Sequence, residues 1–178
     1  MAFGFLTCAA PDEHIAWLHR HPGAVHAYLD GVPPEGIATD ALPAWWPSAP
    51  PATHTSWGVN HRNPDLYHWI LNGSADLVTD AGALFQVWYA PDHAANILKL
   101  DGHNERFAVT SGQLPALAAR AHAVTVDTVL TAFVDWCKAQ GKPWENLDVY
   151  ACEPFLYEFQ PLAAQLDDAI RDGHGLIW

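Results

Sequence analysis

The sequence predicts an α+β fold, organised as one domain over residues 1–178 that is mostly helical, with a few short strands near the termini. A chain of 178 residues is long enough to bury one core but short for two. Apolar residues recur at helical spacing through most of the second half of the chain. Apolar segments that tolerate β structure stand at the two ends, around Phe3 and Phe5 and from Leu176 to Trp178.

A strand and two helices are predicted before residue 31. The strand ends at Pro11, which suits the first turn of a helix, and the acidic pair Asp12 and Glu13 favours a helix N-terminus there. A second short helix is predicted to end at Gly31. Six prolines then interrupt regular hydrogen bonding, which predicts a Pro-rich loop over residues 31–55.

Helix signals return after this loop. Asn63 followed by Pro64 marks a helix start, and Gly73 marks the end of that helix. Ser74 is then predicted to cap a further short element. A strand is predicted over residues 106–109.

The rest of the chain is predicted to be helical until a closing strand. Two helices are predicted over about residues 111–121 and 129–137. The last helical region is predicted to begin near Pro154, to be interrupted at Pro161 and to end at Gly173.

Charge and composition exclude several classes of partner. The chain has 20 acidic and 8 basic residues and a net charge of -12, which repels nucleic acids and anionic membrane surfaces. No apolar run approaches the roughly 20 residues of a membrane span, and the first ten residues do not resemble a signal peptide. The odd set of Cys8, Cys137 and Cys152 fits a reducing compartment, so a cytoplasmic location is predicted.

Three patches of residues carry a family resemblance. They are the opening residues 1–5 with the helix that ends at His21 and Pro22, the histidine-bearing segment 66–73, and the tail over 162–177. In these patches the chain resembles the YfbM-like family of bacterial proteins, a domain of unknown function. The resemblance implies a single α+β domain, and it implies no reaction because no established chemistry attaches to the family.

Neither a metal nor a cofactor is predicted, despite eleven histidines. His14, His19, His21 and His26 follow one another at gaps of five, two and five, none of which brings side chains together on a helix. The chain has no His-Glu-x-x-His or Cys-x-x-Cys motif and no phosphate-binding glycine loop. No catalytic residue is predicted, and His68 is expected to pack in the core or, with Trp69, to line a pocket.

Two features exceed what core formation requires. Residues 144–170 contain six carboxylates and no basic residue, which predicts a negative surface that attracts a basic partner. Several of the nine tryptophans lie in loop-like positions, where they either pin loops to the core or contact a partner. The predicted partner-binding residues are Trp45, Trp46, Trp144, Glu145, Asp148, Glu153 and Glu158.

Two functions of different class follow from these features. The first is a non-catalytic acidic protein-binding module, an immunity-type inhibitor that neutralises a basic bacterial toxin domain. The alternative is a small enzyme or sensor whose pocket, lined by tryptophan and carboxylates, binds a small molecule such as a sugar. Its candidate residues are Glu153 and Glu158, or His68. A cleft favours the alternative, and a convex acidic surface favours the binding module. A third interpretation, a structural protein without a specific partner, predicts scattered acidic residues and fully buried tryptophans.

Overall fold

A sheet of five antiparallel strands separates two layers of helices in the computed structural model, which describes residues 3–59, 63–90, 98–100 and 106–178. The strands are β1 (Phe3–Ala10), β2 (Thr53–Val59), β3 (Leu98–Lys99), β4 (Phe107–Val109) and β5 (Gly175–Ile177). Their spatial order is β2-β1-β5-β4-β3. In the centre, Ile177 of β5 is paired with Cys8 on one side and with Ala108 on the other.

The helical majority of the chain confirms the predicted fold class. The α-helices are α1 (Asp12–Arg20), α2 (Val25–Asp30), α3 (Pro64–Asn72), α4 (Leu114–His122), α5 (Val126–Ala139) and α6 (Val149–Asp172). Three 3-10 helices span Thr39–Ala41, Ala81–Trp88 and Ser111–Gln113. The strands predicted near the termini are β1 and β5, whereas β2 and β3 come from segments where no strand was predicted.

Side chains alternate across the sheet and divide the core in two. Ile177 belongs to a smaller cluster that also contains Ile15 and Leu18 of α1. Its neighbours Leu176 and Trp178 point to the other face and join a larger cluster formed with α3, α4, α5 and α6. This period of two is the pattern expected for a strand covered on both faces.

Local sequence signals fix most helix ends where they were predicted. α1 begins directly after Pro11, and α3 begins at Pro64. Gly31 and Gly73 follow α2 and α3 in the left-handed conformation, with φ of +65° and +75°. Glycine adopts this conformation without a steric penalty, so it ends a helix at low cost in free energy.

Two boundary predictions are wrong. The Pro-rich loop ends before residue 53, where β2 begins, so the predicted limit at residue 55 is too late. Ser74 does not cap the next element: the side chain of Asp80 does, with Oδ1 accepting a hydrogen bond of 2.8 Å from the backbone N of Gly82. Asp80 directly precedes this element, whereas the Ser74 hydroxyl accepts a hydrogen bond from the backbone N of Asp76 instead; Arg120 holds Asp80 in place by binding both carboxylate oxygens.

The prediction for α6 is also wrong in its start and in its interruption. The helix begins at Val149 and runs for 24 residues through Pro154 and Pro161 without a break. Both prolines lie on its exposed side, and the opposite side buries Cys152, Phe159, Leu162 and Leu166 in the larger cluster. Burial of that apolar face compensates for the backbone hydrogen bonds that the prolines remove.

Candidate partner-binding surface

The outer face of α6 holds the most exposed large side chains in the described part of the chain. Tyr150 is 78% exposed and Tyr157 is 65% exposed, and Trp144, just before the helix, is 38% exposed. We use the name α6 face for the helix positions that share this side, which are Tyr150, Glu153, Pro154, Tyr157, Gln160 and Pro161. Burial of aromatic side chains of this size against a partner is favourable, because it removes apolar surface from water.

A seven-residue repeat generates the α6 face. Residues 150–156 read YACEPFL and residues 157–163 read YEFQPLA, so each copy has tyrosine first, glutamate or glutamine fourth and proline fifth. Seven residues are close to two helical turns, which puts corresponding positions on the same side. Tyr150 and Tyr157 were missed as site residues, although this period was the signal that pointed to them.

Acidic side chains lie at the N-terminal end of the α6 face. Glu145 and Asp148 are exposed and Glu153 is half-buried, so three of the four predicted carboxylates lie in the same stretch as the exposed aromatic residues. Glu145 also accepts a hydrogen bond of 3.1 Å from the backbone N of Trp144. A hydrogen bond from its own backbone lowers the pKa of Glu145, and the contact with Trp144 acts in the same direction.

Glu158, the fourth predicted carboxylate, does not join the α6 face. It is directed towards Tyr67 of α3, whose hydroxyl donates a hydrogen bond to it, and its Oε2 is buried without a hydrogen-bond partner. Burial raises the pKa of Glu158 to about 7, because removal of water disfavours the charged form. Glu158 is therefore set apart from the three other predicted carboxylates, and its role in binding a partner stays a prediction.

Basic side chains from other parts of the chain lie near residues 144–170, a segment that contains no basic residue of its own. Lys138 Nζ of α5 lies 4.5 Å from the centroid of the Trp144 ring. Near the end of α6, Asp168 pairs with Arg171 at 2.7 Å, and Asp167 lies 2.9 Å from His122. Among the predicted partner-binding residues, Glu145, Asp148 and Glu153 therefore lie in the first turns of α6 and the residues before it, away from the ion pairs at the end of the helix.

Trp45 and Trp46 pack on α1 and α2 from the Pro-rich loop. The Trp45 ring stacks on His14 with 3.8 Å between ring centroids, and Trp46 donates a hydrogen bond of 3.0 Å from Nε1 to the carbonyl of Val32. Both rings are half-buried against the smaller cluster, which also receives Trp17. Two roles were predicted for these tryptophans, and their contacts agree with the first, in which they hold the loop against the core.

His68 is a packing residue in the core rather than a pocket residue. It is fully buried, its Nε2 donates a hydrogen bond of 2.8 Å to the carbonyl of Asp76, and Asn72 donates one of 3.3 Å to its Nδ1. Burial lowers the pKa of His68, and the hydrogen bond to Asp76 acts in the opposite direction.

Trp69 does line a depression, between the ends of α3 and α4 and the outer side of α5. The depression has a volume of about 400 Å³, with Arg120, Asp127, Thr131 and Asp135 among its polar residues. Arg120 is committed to Asp80 and Asn72 at distances of 2.6 to 3.1 Å. Neither His68, Glu153 nor Glu158 reaches this depression, so the residues named for a small-molecule pocket do not come together.

The described residues include no group of three or more histidine, cysteine, aspartate or glutamate side chains placed to hold a metal ion. All three cysteines are buried and reduced. Burial raises the pKa of each thiol, that of Cys8 to about 11, and a thiolate nucleophile is thereby disfavoured at neutral pH.

Comparison with protein-family models, with curated proteins and with solved structures finds no match for this chain. The resemblance to the YfbM-like family therefore stays a prediction. Within the described ranges, no single helix has the length and apolarity to cross a membrane. Ser111–His122 and Val126–Ala139 meet both criteria only when taken together, and they are bent by 90°.

Proposed function

We propose that this protein is a non-catalytic acidic binding module of the cytoplasm that recognises a basic protein through the α6 face and the residues before it. The observation that carries the proposal is the exposure of Tyr150 and Tyr157 beside the carboxylates Glu145 and Glu153. An immunity-type inhibitor of a basic bacterial toxin domain has this combination, since it requires contact area and negative charge but no catalytic group.

The two kinds of side chain serve different steps of binding. Carboxylates on a chain with a net charge of -12 attract a basic protein over distance and raise the rate of association. Tyrosine and tryptophan supply large contact areas with little loss of side-chain entropy, and they are enriched among residues that dominate binding energy. The proposal therefore predicts that loss of the carboxylates slows association and that loss of the aromatic side chains speeds dissociation.

The test is affinity capture of the tagged protein from a lysate of the cell that encodes it, at low and at raised salt. We expect the wild type to retain a basic protein that raised salt releases. Y150A/Y157A is expected to weaken binding at least about tenfold through faster dissociation. E145K/E153K is expected to slow association by about tenfold at low salt, and the difference is expected to shrink as salt is added.

The matched control is E35K/D40K, which makes the same change in net charge at two exposed positions of the Pro-rich loop. It is expected to bind like the wild type. Equal retention by all variants, or the absence of a basic protein at low salt, would contradict the proposal. Inhibition is tested separately, by measuring whether the captured protein arrests growth when expressed alone and not when co-expressed with the wild type.

A further inference from the structure

We infer that the α6 face receives a helix of the partner that carries two arginine side chains seven residues apart, one for each copy of the seven-residue repeat. This inference rests on the proposed function and specifies how the partner is recognised. It rests on the repeat and on the two backbone carbonyls that lack a helical donor because the residue four positions later is proline.

Each proline leaves a backbone acceptor beside an exposed tyrosine. In a helix, the N–H of a residue bonds the carbonyl four residues earlier, and proline has no N–H to donate. Pro154 thus withholds this bond from the carbonyl of Tyr150, and Pro161 withholds it from that of Tyr157. Both prolines lie on the exposed side of the helix, in line with the exposed tyrosines, so each of these carbonyls lacks its helical donor on that side.

The two acceptors repeat at a distance that a second helix can match. Seven residues at 1.5 Å each place equivalent atoms of the two copies about 10 Å apart along α6. A partner helix with basic residues at positions i and i+7 presents them on one side at the same separation. Helices meet side by side in this manner in many protein interfaces.

Arginine fits each half-site better than lysine. Its planar guanidinium stacks on an aromatic ring and still directs N–H groups to neighbouring oxygens. Each copy offers a tyrosine ring, a carbonyl freed by proline, and a carboxylate or amide oxygen from Glu153 or Gln160. The chain already places a cation over an aromatic ring just before α6, with Lys138 over Trp144.

The first experiment uses two alanine-rich helical peptides of identical composition, one with arginines seven residues apart and the other with arginines five residues apart. Binding to the full-length protein is measured by NMR titration at low salt. We expect the seven-residue spacing to bind at least about fivefold more tightly and to shift the Tyr150 and Tyr157 resonances, because a spacing of five puts the arginines on different sides. Equal affinity of the two peptides would overturn the inference.

The second experiment restores the missing backbone donors with P154A/P161A, which leaves both tyrosines and Glu153 in place. We expect the variant to bind the seven-residue peptide about tenfold more weakly, as for loss of hydrogen bonds to a charged group. We also expect its thermal unfolding midpoint to rise, since proline inside a helix is unfavourable. The control is P115A, at an exposed position in the first turn of α4, where proline removes no helical hydrogen bond.

The two results separate this inference from the proposed function. If a basic protein is captured in a manner that depends on Tyr150 and Tyr157, but P154A/P161A binds it as the wild type does, the proposed function stands and the inference fails. If no basic protein is captured and neither peptide binds, both fail. Weaker binding by P154A/P161A together with a higher thermal unfolding midpoint would support the inference, because damage to the fold would lower both the affinity and the midpoint.

Discussion

Glu158 shows how a single carboxyl group departs from the behaviour that its sequence position indicates. It lies in an acidic stretch, yet the helix turns it away from Glu153 and towards the buried hydroxyl of Tyr67. Its pKa of about 7 lies above the ordinary value of 4.5. The folded protein therefore favours the protonated form, whereas the unfolded chain ionises at lower pH.

This shift predicts a pH-dependent stability. The contribution of Glu158 is complete below pH 4.5, where both states are protonated, and is lost as the pH rises to 7. With allowance for partial exposure, we expect the stability of E158Q relative to the wild type to rise by about 1–2 kcal/mol between pH 5 and pH 8. Urea unfolding at the two pH values measures this difference.

The comparison with E158Q is needed because other groups titrate in the same range. Burial lowers the pKa values of His14 and His68, which makes the wild type more stable as the pH rises. Substitution of Glu158 leaves both histidines in place, so their effect cancels in the difference. E35Q, at an exposed position, serves as control and is expected to show no such change. An unchanged difference between pH 5 and pH 8 for E158Q would contradict the assignment.

The Pro-rich loop is an element with fixed ends rather than a tether. Gly31, at its start, lies so close to the backbone of Ala49 and Pro50 that a Cβ atom would overlap them. Trp46 fastens the loop again through its hydrogen bond to Val32, and Trp45 stacks on His14. The loop therefore closes on itself, as compact surface loops do.

Closure of the loop predicts a large effect of a small substitution. G31A combines a left-handed backbone with backbone overlap, so we expect it to lower the free energy of unfolding by about 2–4 kcal/mol. G36A, in the same loop, has a similar φ of +79° but open space around it, and we expect a loss of about 1 kcal/mol. Thermal unfolding and limited proteolysis of the loop measure both. Equal losses for the two variants would show that the close approach has no energetic role.

The elements that were predicted correctly are those with signals confined to a few residues. Pro11, Pro64 and Gly73 act on the adjacent backbone, so the ends of α1 and α3 follow from the sequence. β2 was missed because it is stabilised by β1, about 50 residues away, where Thr7 pairs with His54. The start of α6 was missed because burial of its apolar face, and not a local signal, keeps the prolines within a helix.

In the candidate site, too, the sequence reveals local properties and does not reveal those that depend on tertiary contacts. Charge counts predicted the acidic stretch, and Glu145, Asp148 and Glu153 lie there beside exposed aromatic residues. Counts do not reveal the side of a helix to which a residue points, so they did not separate Glu158, which faces Tyr67, from the other carboxylates, and Tyr150 was missed. His68 follows the packing alternative, because Asp76 and Asn72 engage both of its ring nitrogens only after the chain folds.

At the scale of the whole molecule, β5 joins the two core clusters. Leu176 is buried in the larger cluster and Ile177 in the smaller one, and both belong to the strand that hydrogen-bonds to β1 and β4. β4 does the same, with Phe107 and Val109 in the larger cluster and Ala108 in the smaller one, so the two layers of helices are coupled through the sheet with β5 at its centre. Loss of packing on either face of β5 weakens the support for the opposite layer.

We therefore predict that L176A and I177A each destabilise the whole molecule by about 2–5 kcal/mol and leave unfolding cooperative. Backbone amide NMR signals of α1, on one side of the sheet, and of α5, on the other, are expected to give the same transition midpoint during urea unfolding. T131A, at an exposed position on α5, is the control and is expected to change stability little. Separate midpoints for the two signals would indicate that the layers unfold independently.

The central position of β5 also constrains how the protein is made. β1 is synthesised at the beginning, but its partner on one side, the strand that contains Ile177, emerges from the ribosome only after nearly all other elements. Until then the β1–β2 and β3–β4 pairs have no strand between them, and each presents an unpaired edge. We expect the sheet to close only once β5 is available and a chain truncated before residue 175 to depend on chaperones, because exposed strand edges promote aggregation.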